Sequence, residues 1–160
     1  MENIAQLILT SMIWVLPAYV ANASPVIFGG GKPLDFGKKF IDGKRILGNG
    51  KTIKGFIAGI FAGSFIGFVE GILLIGFLLA LGAILGDLAG SFIKRRVGIK
   101  RGQPFWVLDQ FDFVIGALLL VSLIELPALE VIIAVLLITP ALHLLTNFIA
   151  YKLDMKKVPW

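Results

Sequence analysis

Long apolar runs alternate along this chain with short, strongly basic segments. Five runs stand out, at about 4–28, 56–69, 71–93, 105–124 and 128–150. A helix crossing a bilayer needs about 20 apolar residues at a 1.5 Å rise each. The pattern therefore predicts an all-α integral membrane protein, a single membrane domain over 1–160 with five transmembrane helices. Pro17 predicts a kink in the first helix, and Pro140 lies inside the fifth. Glycine recurs every four residues at 55, 59, 63, 67 and 71, and again at 82, 86 and 90. That period puts glycines along one helix face, where two helices can approach closely in lipid. It predicts a glycine-rich hairpin of helices 2 and 3 turning at Glu70-Gly71, with faces that would also allow a homodimer.

Composition agrees with a membrane location: the chain is 58% hydrophobic, more than an ordinary soluble domain of 160 residues carries. It has no cysteine, which excludes disulfides, thiolate metal sites and a cysteine nucleophile, and its single histidine excludes a multi-histidine metal site. All fifteen Lys and Arg fall into three clusters, at 32–54, 94–101 and 152–157. Five crossings put these on one side, and the other side receives Glu2, Glu70, Glu125 and Glu130. The positive-inside rule then makes the basic loops 29–54 and 94–104 cytoplasmic, with the N-terminus outside and the C-terminus cytoplasmic. "ANAS" at 21–24 imitates a signal-peptidase site, but no basic residue precedes the first run, so a retained helix is expected.

Against this background some polar residues are out of place. Asp87 lies inside the third run, roughly 10 Å from its basic end. A carboxylate there costs on the order of 3 kcal/mol unless it is paired or wetted. Asp109 and Asp112 share a face of the fourth helix, and His143, Asn147 and Tyr151 share one of the fifth. Three helices thus bring polar groups to one level beneath the basic loops. Three carboxylates would repel one another without a cation between them, and oxygen ligands suit Mg²⁺. Basic residues around a carboxylate-held Mg²⁺ are the parts needed to handle polyphosphate. Taken singly, each has a plainer reading. Asp109 and Asp112 suit a polar helix start, Asp87 an ion pair with arginine, and His143 a packed helix residue.

"GNGKTIKG" at 48–55 ends like a phosphate-binding P-loop. The pattern needs a glycine where this chain has Arg45, and a strand before it, so it fails on spacing and context.

"GDLAGSFIKRRVGIKR" at 86–101, followed by "LDQFD" at 108–112, resembles the signature of the CTP-dependent phosphatidate cytidylyltransferases, or CDP-diglyceride synthases. "NGKTIKGFIAG" at 49–59 resembles a second block of that family. The match departs from the bacterial pattern: a His-Gly-Gly before the Asp pair is absent, Gln110 stands for arginine, and the chain is short. With "NASPVIFGGGKPLDFGKKFIDGKR" and "KKVPW", these departures resemble the archaeal branch, the CDP-archaeol synthases. The resemblance implies a membrane enzyme whose active site faces the cytoplasm and whose substrates are CTP and an unsaturated ether-lipid phosphate, with no nucleic-acid partner. It implies that Asp87, Asp109 and Asp112 hold Mg²⁺, and it leaves open whether K⁺ joins it. Lys51, Lys94 and Arg95 would neutralise phosphates, and Thr52 and Ser91 would donate hydrogen bonds. Asn22, Ser24 and Asn147 are weaker candidates for base, ribose or lipid-phosphate contacts. Two rivals fit less well. A CDP-alcohol phosphotransferase needs glycine where Phe113 follows Asp112. A small transporter or channel needs polar groups across the whole membrane.

Overall fold

The computed structural model describes residues 3–100 and 102–158. Glu2 and Arg101, which the charge pattern uses, and the last two residues of "KKVPW" lie outside the described residues. Five helices follow in order: α1 Ile4–Phe28, α2 Ile53–Val69, α3 Leu73–Arg96, α4 Trp106–Val121 and α5 Leu129–Lys152. α1, α3 and α5 are long and apolar enough to cross a membrane, while α2 is a shorter apolar helix. α1 continues through Pro17 and Pro25, and α5 through Pro140. α4 ends three residues before the expected Ile124, where Ile124 N–H turns to donate to Val121 O.

α1 touches all four other helices, α3 packs on α1, α2 and α4, and α5 meets only α1 and α4. The core is small-chained: Val15, Ala18 and Ala21 of α1 meet Leu79, Ala80, Ala83 and Ile84 of α3 and Phe113, Val114, Ala117 and Val121 of α4. The bundle exterior is apolar, with Phe61, Phe65, Phe68, Leu119 and Leu137 all more than half exposed, as suits lipid contact.

The glycines serve three interfaces rather than one. The buried residues of α2 are Gly55, Gly59, Gly63 and Gly67. A Cβ on Gly55 would meet Pro25 of α1, one on Gly59 would meet Ile84 of α3 and lie 2.8 Å from Ala21 O of α1, and one on Gly63 would meet Ala80 of α3 and Pro17 O of α1, so Gly59 and Gly63 sit where α1 and α3 both press on α2. Gly67, nearest the turn, is pressed on Gly76 of α3. The α2–α3 turn closes with Ile72 N–H on Gly67 O and Gly71 at φ 75°, the left-handed cap that glycine fits without strain. Gly82, Gly86 and Gly90 instead face α4. Since these glycines are consumed inside the chain, a homodimer would need another surface.

Loop 29–54 folds over one end of the bundle. Leu34 N–H donates to Lys51 O and Ile53 N–H to Lys32 O, and two isolated bridges pair Pro33 with Thr52 and Lys39 with Arg45. Arg96 ties the loop to α3: its guanidinium lies over both the Phe40 and the Phe92 ring, donates to Arg45 O and pairs with Asp42. Inside the loop, Asp35 is a buried hub whose side chain is 1% exposed. Its carboxylate accepts from the Arg45 guanidinium and from Gly37, Leu47 and Gly48 N–H. Burial pushes this carboxyl up, but Arg45 and the three amides more than offset it and hold it well below the usual carboxylate range. The stability it contributes is therefore complete above about pH 4 and is lost as pH falls toward the folded value. Asp35→Asn is expected to speed proteolytic cleavage within 29–54 by about tenfold, the scale of one lost charge-assisted contact. Timed digestion of both proteins at pH 7 checks this, and the wild-type loop is expected to loosen likewise on acidification.

Candidate active site

A cavity of about 710 Å³ opens between loop 44–51, the end of α3, residues 98–100 and 102–103, the start of α4 and the end of α5. α3 supplies Asp87, Ser91, Lys94 and Arg95, which share one helix face by their spacing. α4 supplies Asp109 and Asp112 from its first two turns. Loop 44–51 brings Lys51 over the aspartates, and α1 contributes Asn22.

The charged groups meet in pairs. Lys51 Nζ lies 2.5 Å from Asp87 Oδ2. Lys94 Nζ lies 2.8 and 2.9 Å from the two oxygens of Asp109, which also accepts from Phe105 N–H at the start of α4. Asp112 accepts from Phe113 N–H at 2.6 Å, and its other oxygen rests on Gly90 of α3. Only a residue without a Cβ leaves room there, so Gly90 sets where this carboxylate stands. Arg95 lines the cavity with its buried Nε making no hydrogen bond to the described residues. Such a group favours an anion.

No three acidic or histidine side chains among the described residues stand close enough to enclose a metal ion. Ammonium groups hold Asp87 and Asp109 instead. The donor set still fits a hard cation: three carboxylates line one cavity, and two of them already carry a positive partner.

Two expected contacts are not in the cavity. Thr52 is the N-cap of α2: its Oγ1 accepts from Gly55 N–H at 3.1 Å and Gly30 N–H at 3.2 Å, and the residue is buried. Threonine ahead of an apolar helical run is an ordinary capping signal; the adjacent lysine drew attention to phosphate instead. Ser24 donates to Val20 O within α1 at 2.7 Å, the usual i−4 bond of a helical serine. Lys51, Ser91, Lys94, Arg95, Asn22, Asn147 and the three aspartates all line the cavity.

Sequence reasoning missed several lining residues, among them Lys44, Arg45, Lys100 and Lys156. Lys156 Nζ donates to Asn147 Oδ1 at 2.8 Å. Lysine has no acceptor, so the Asn147 atom facing it is the oxygen, and Nδ2 faces His143, 3.1 Å from Nε2. His143 stacks on Phe113, which meets Tyr19 edge-on, and Tyr19 OH lies 2.7 Å from Thr139 Oγ1. Only the His143–Asn147 spacing was readable in advance.

The model of the CarS-like family, described as CDP-archaeol synthase, matches residues 4–160. The CDP-archaeol synthase of Thermofilum pendens is 53% identical over 94% of this chain and 80% of its own length. That of Methanocaldococcus jannaschii is 48% identical over 97% of this chain and 98% of its own. A solved structure, described as an intramembrane enzyme for archaeal membrane lipids biosynthesis, superposes with a TM-score of 0.76 at 43% identity. It covers 88% of this chain and 94% of the other.

Proposed function

This chain belongs to the CarS-like CDP-archaeol synthase family, and we propose that it transfers the cytidylyl group of CTP to an unsaturated ether-lipid phosphate. The observation that supports this most is the single cavity in which Asp87, Asp109 and Asp112 meet Lys51, Lys94 and Arg95. In the reaction, a lipid-phosphate oxygen bonds to the α-phosphorus of CTP. The bond from that phosphorus to the bridging oxygen breaks, and pyrophosphate leaves with the electron pair. A phosphate monoester is mostly dianionic near pH 7, with a second pKa of about 6. The nucleophile therefore arrives deprotonated, and no general base is needed. What the chain must supply is charge neutralisation and in-line alignment.

Lys51 and Lys94 are suited to an exchange of partners. In the ion pairs they keep the carboxylates compensated; with CTP present their ammonium groups turn to phosphate oxygens and release Asp87 and Asp109. Arg95 neutralises a further phosphate, and Ser91 donates a hydrogen bond. Asp87, Asp109 and Asp112 would then hold Mg²⁺, which when bound draws charge from the triphosphate oxygens; K⁺ is a second cation to test. The reading includes five crossings in the cell membrane, with the cavity and both basic loops on the cytoplasmic side.

Pyrophosphate release by purified protein tests the reaction. Release is expected only with CTP, Mg²⁺ and an unsaturated ether-lipid phosphate together, and at least about a hundredfold less with ATP, whose base offers different hydrogen-bonding edges. Folded protein that releases none with several lipid phosphates would rule the reaction out.

A further inference from the structure

Two apolar grooves reach the charged cavity, one between α1 and α5 of about 540 Å³ and one between α3 and α4 of about 560 Å³. Size does not distinguish them; the residues at their inner ends do. The α3–α4 groove shares only Asp112 with the cavity, and an ionised carboxylate has no hydrogen-bond donor to offer a phosphate. The α1–α5 groove shares Asn22, His143 and Asn147, which present neutral polar groups.

The chain after α5 adds a cation at that same threshold. Asp154, at φ 57°, turns the backbone so that Met155 and Lys156 N–H both donate back to Ala150 O. The reversal puts neighbouring residues on opposite sides of one boundary. Met155 lines the apolar groove and Lys156 lines the charged cavity, its ammonium on Asn147. His143 orients the Asn147 amide through Nδ2, so the oxygen is fixed toward Lys156. Burial, and then the nearby positive charge of Lys51, hold the Lys156 ammonium below its ordinary pKa.

We propose that the α1–α5 groove takes the apolar chain of the lipid substrate and that Lys156, held by Asn147 and His143, receives its phosphate at the cavity threshold. This rests on the cytidylyltransferase reading for the identity of the lipid phosphate. The cations then divide between the two substrates, with Lys51, Lys94 and Arg95 serving the triphosphate and Lys156 the nucleophile. A threshold where apolar and charged linings meet suits an amphiphile whose phosphate must enter while its chain stays in lipid.

The experiment measures thermal stabilisation of the detergent-solubilised protein by each substrate alone, CTP with Mg²⁺ or an unsaturated diether phosphate, beside KM for each. Lys156→Ala is expected to abolish stabilisation by the diether phosphate and raise its KM about tenfold or more, the scale of one charge-assisted contact. CTP stabilisation and KM should change far less than those of the diether phosphate, and Lys156→Arg should restore most of the lipid effect. Ala150→Trp, which fills the α1–α5 groove, should raise the lipid KM, whereas Ala89→Trp in the α3–α4 groove should not. The proposal is overturned by unchanged lipid binding in Lys156→Ala, by a loss that falls on CTP, or by Ala89→Trp alone blocking the lipid. Because binding is read without turnover, a wild-type protein that binds the diether phosphate through Lys156 yet releases no pyrophosphate would support this site and sink the reaction.

Discussion

Asp109→Asn is expected to lower turnover by about a thousandfold or more while the melting temperature stays within a few degrees of wild type. The substitution keeps the side chain's size and an oxygen that can still accept from Phe105 N–H, so the start of α4 keeps its bond. What disappears is the negative charge facing Lys94 and the cavity. Without it, Lys94 no longer has a carboxylate to leave, and a cation would lose one of the three carboxylates proposed to hold it. Pyrophosphate release titrated with Mg²⁺ measures both effects. Wild-type turnover with wild-type Mg²⁺ dependence would show that Asp109 holds no cation.

Alanine at Gly86 and at Gly90 should part ways, although both glycines face α4 one turn apart. A Cβ on Gly86 meets Asp112 O and comes within 3.1 Å of Phe113 Cα, all of it backbone. The two helices would have to separate, at about 1–3 kcal/mol or more, so Gly86→Ala should lower the melting temperature and activity together. At Gly90 the obstacles are side-chain atoms of Asp112: the carboxylate can rotate aside, and its Cβ, 2.9 Å away, requires only a small shift of the helices. Gly90→Ala should therefore stay folded and lose about a hundredfold in turnover, since the ligand is moved without being removed. Melting curves and pyrophosphate release on both variants check the contrast. Full turnover in Gly90→Ala would mean that the position of Asp112 does not matter to the reaction.

Much of the site was readable because one helix face carries it. Asp87, Ser91, Lys94 and Arg95 are spaced for a common side of α3, and Asp109 and Asp112 for a common side of α4, so their convergence needed only that the two helices be neighbours. Thr52 shows where such reading misleads. Beside Lys51 it looks like a phosphate donor, yet its oxygen is taken by two backbone amides. Asp35 went unnoticed although "LDFG" carries an Asx-turn signal, realised as Gly37 N–H on Asp35 Oδ1. Its other partners lie ten to thirteen residues away, where no local pattern reaches.

Five helices, their approximate ends and the chemistry on each face were determined by the sequence alone, since apolar length, helical period and capping are local properties. Tertiary structure alone decided how the glycines are shared. A four-residue repeat says that a helix can be approached closely, not by which neighbour, and α2 shares its middle glycines between α1 and α3 while α3 turns its later ones to α4. It also decided which polar groups face the cavity. Lys156 follows the last helix in a short basic tail that resembles any other, and a backbone reversal at Asp154 carries it onto Asn147. That contact is made within α5 and its tail, but its place beside Lys51 and the aspartates follows from α5 packing on α1 and α4, among residues far apart in the chain.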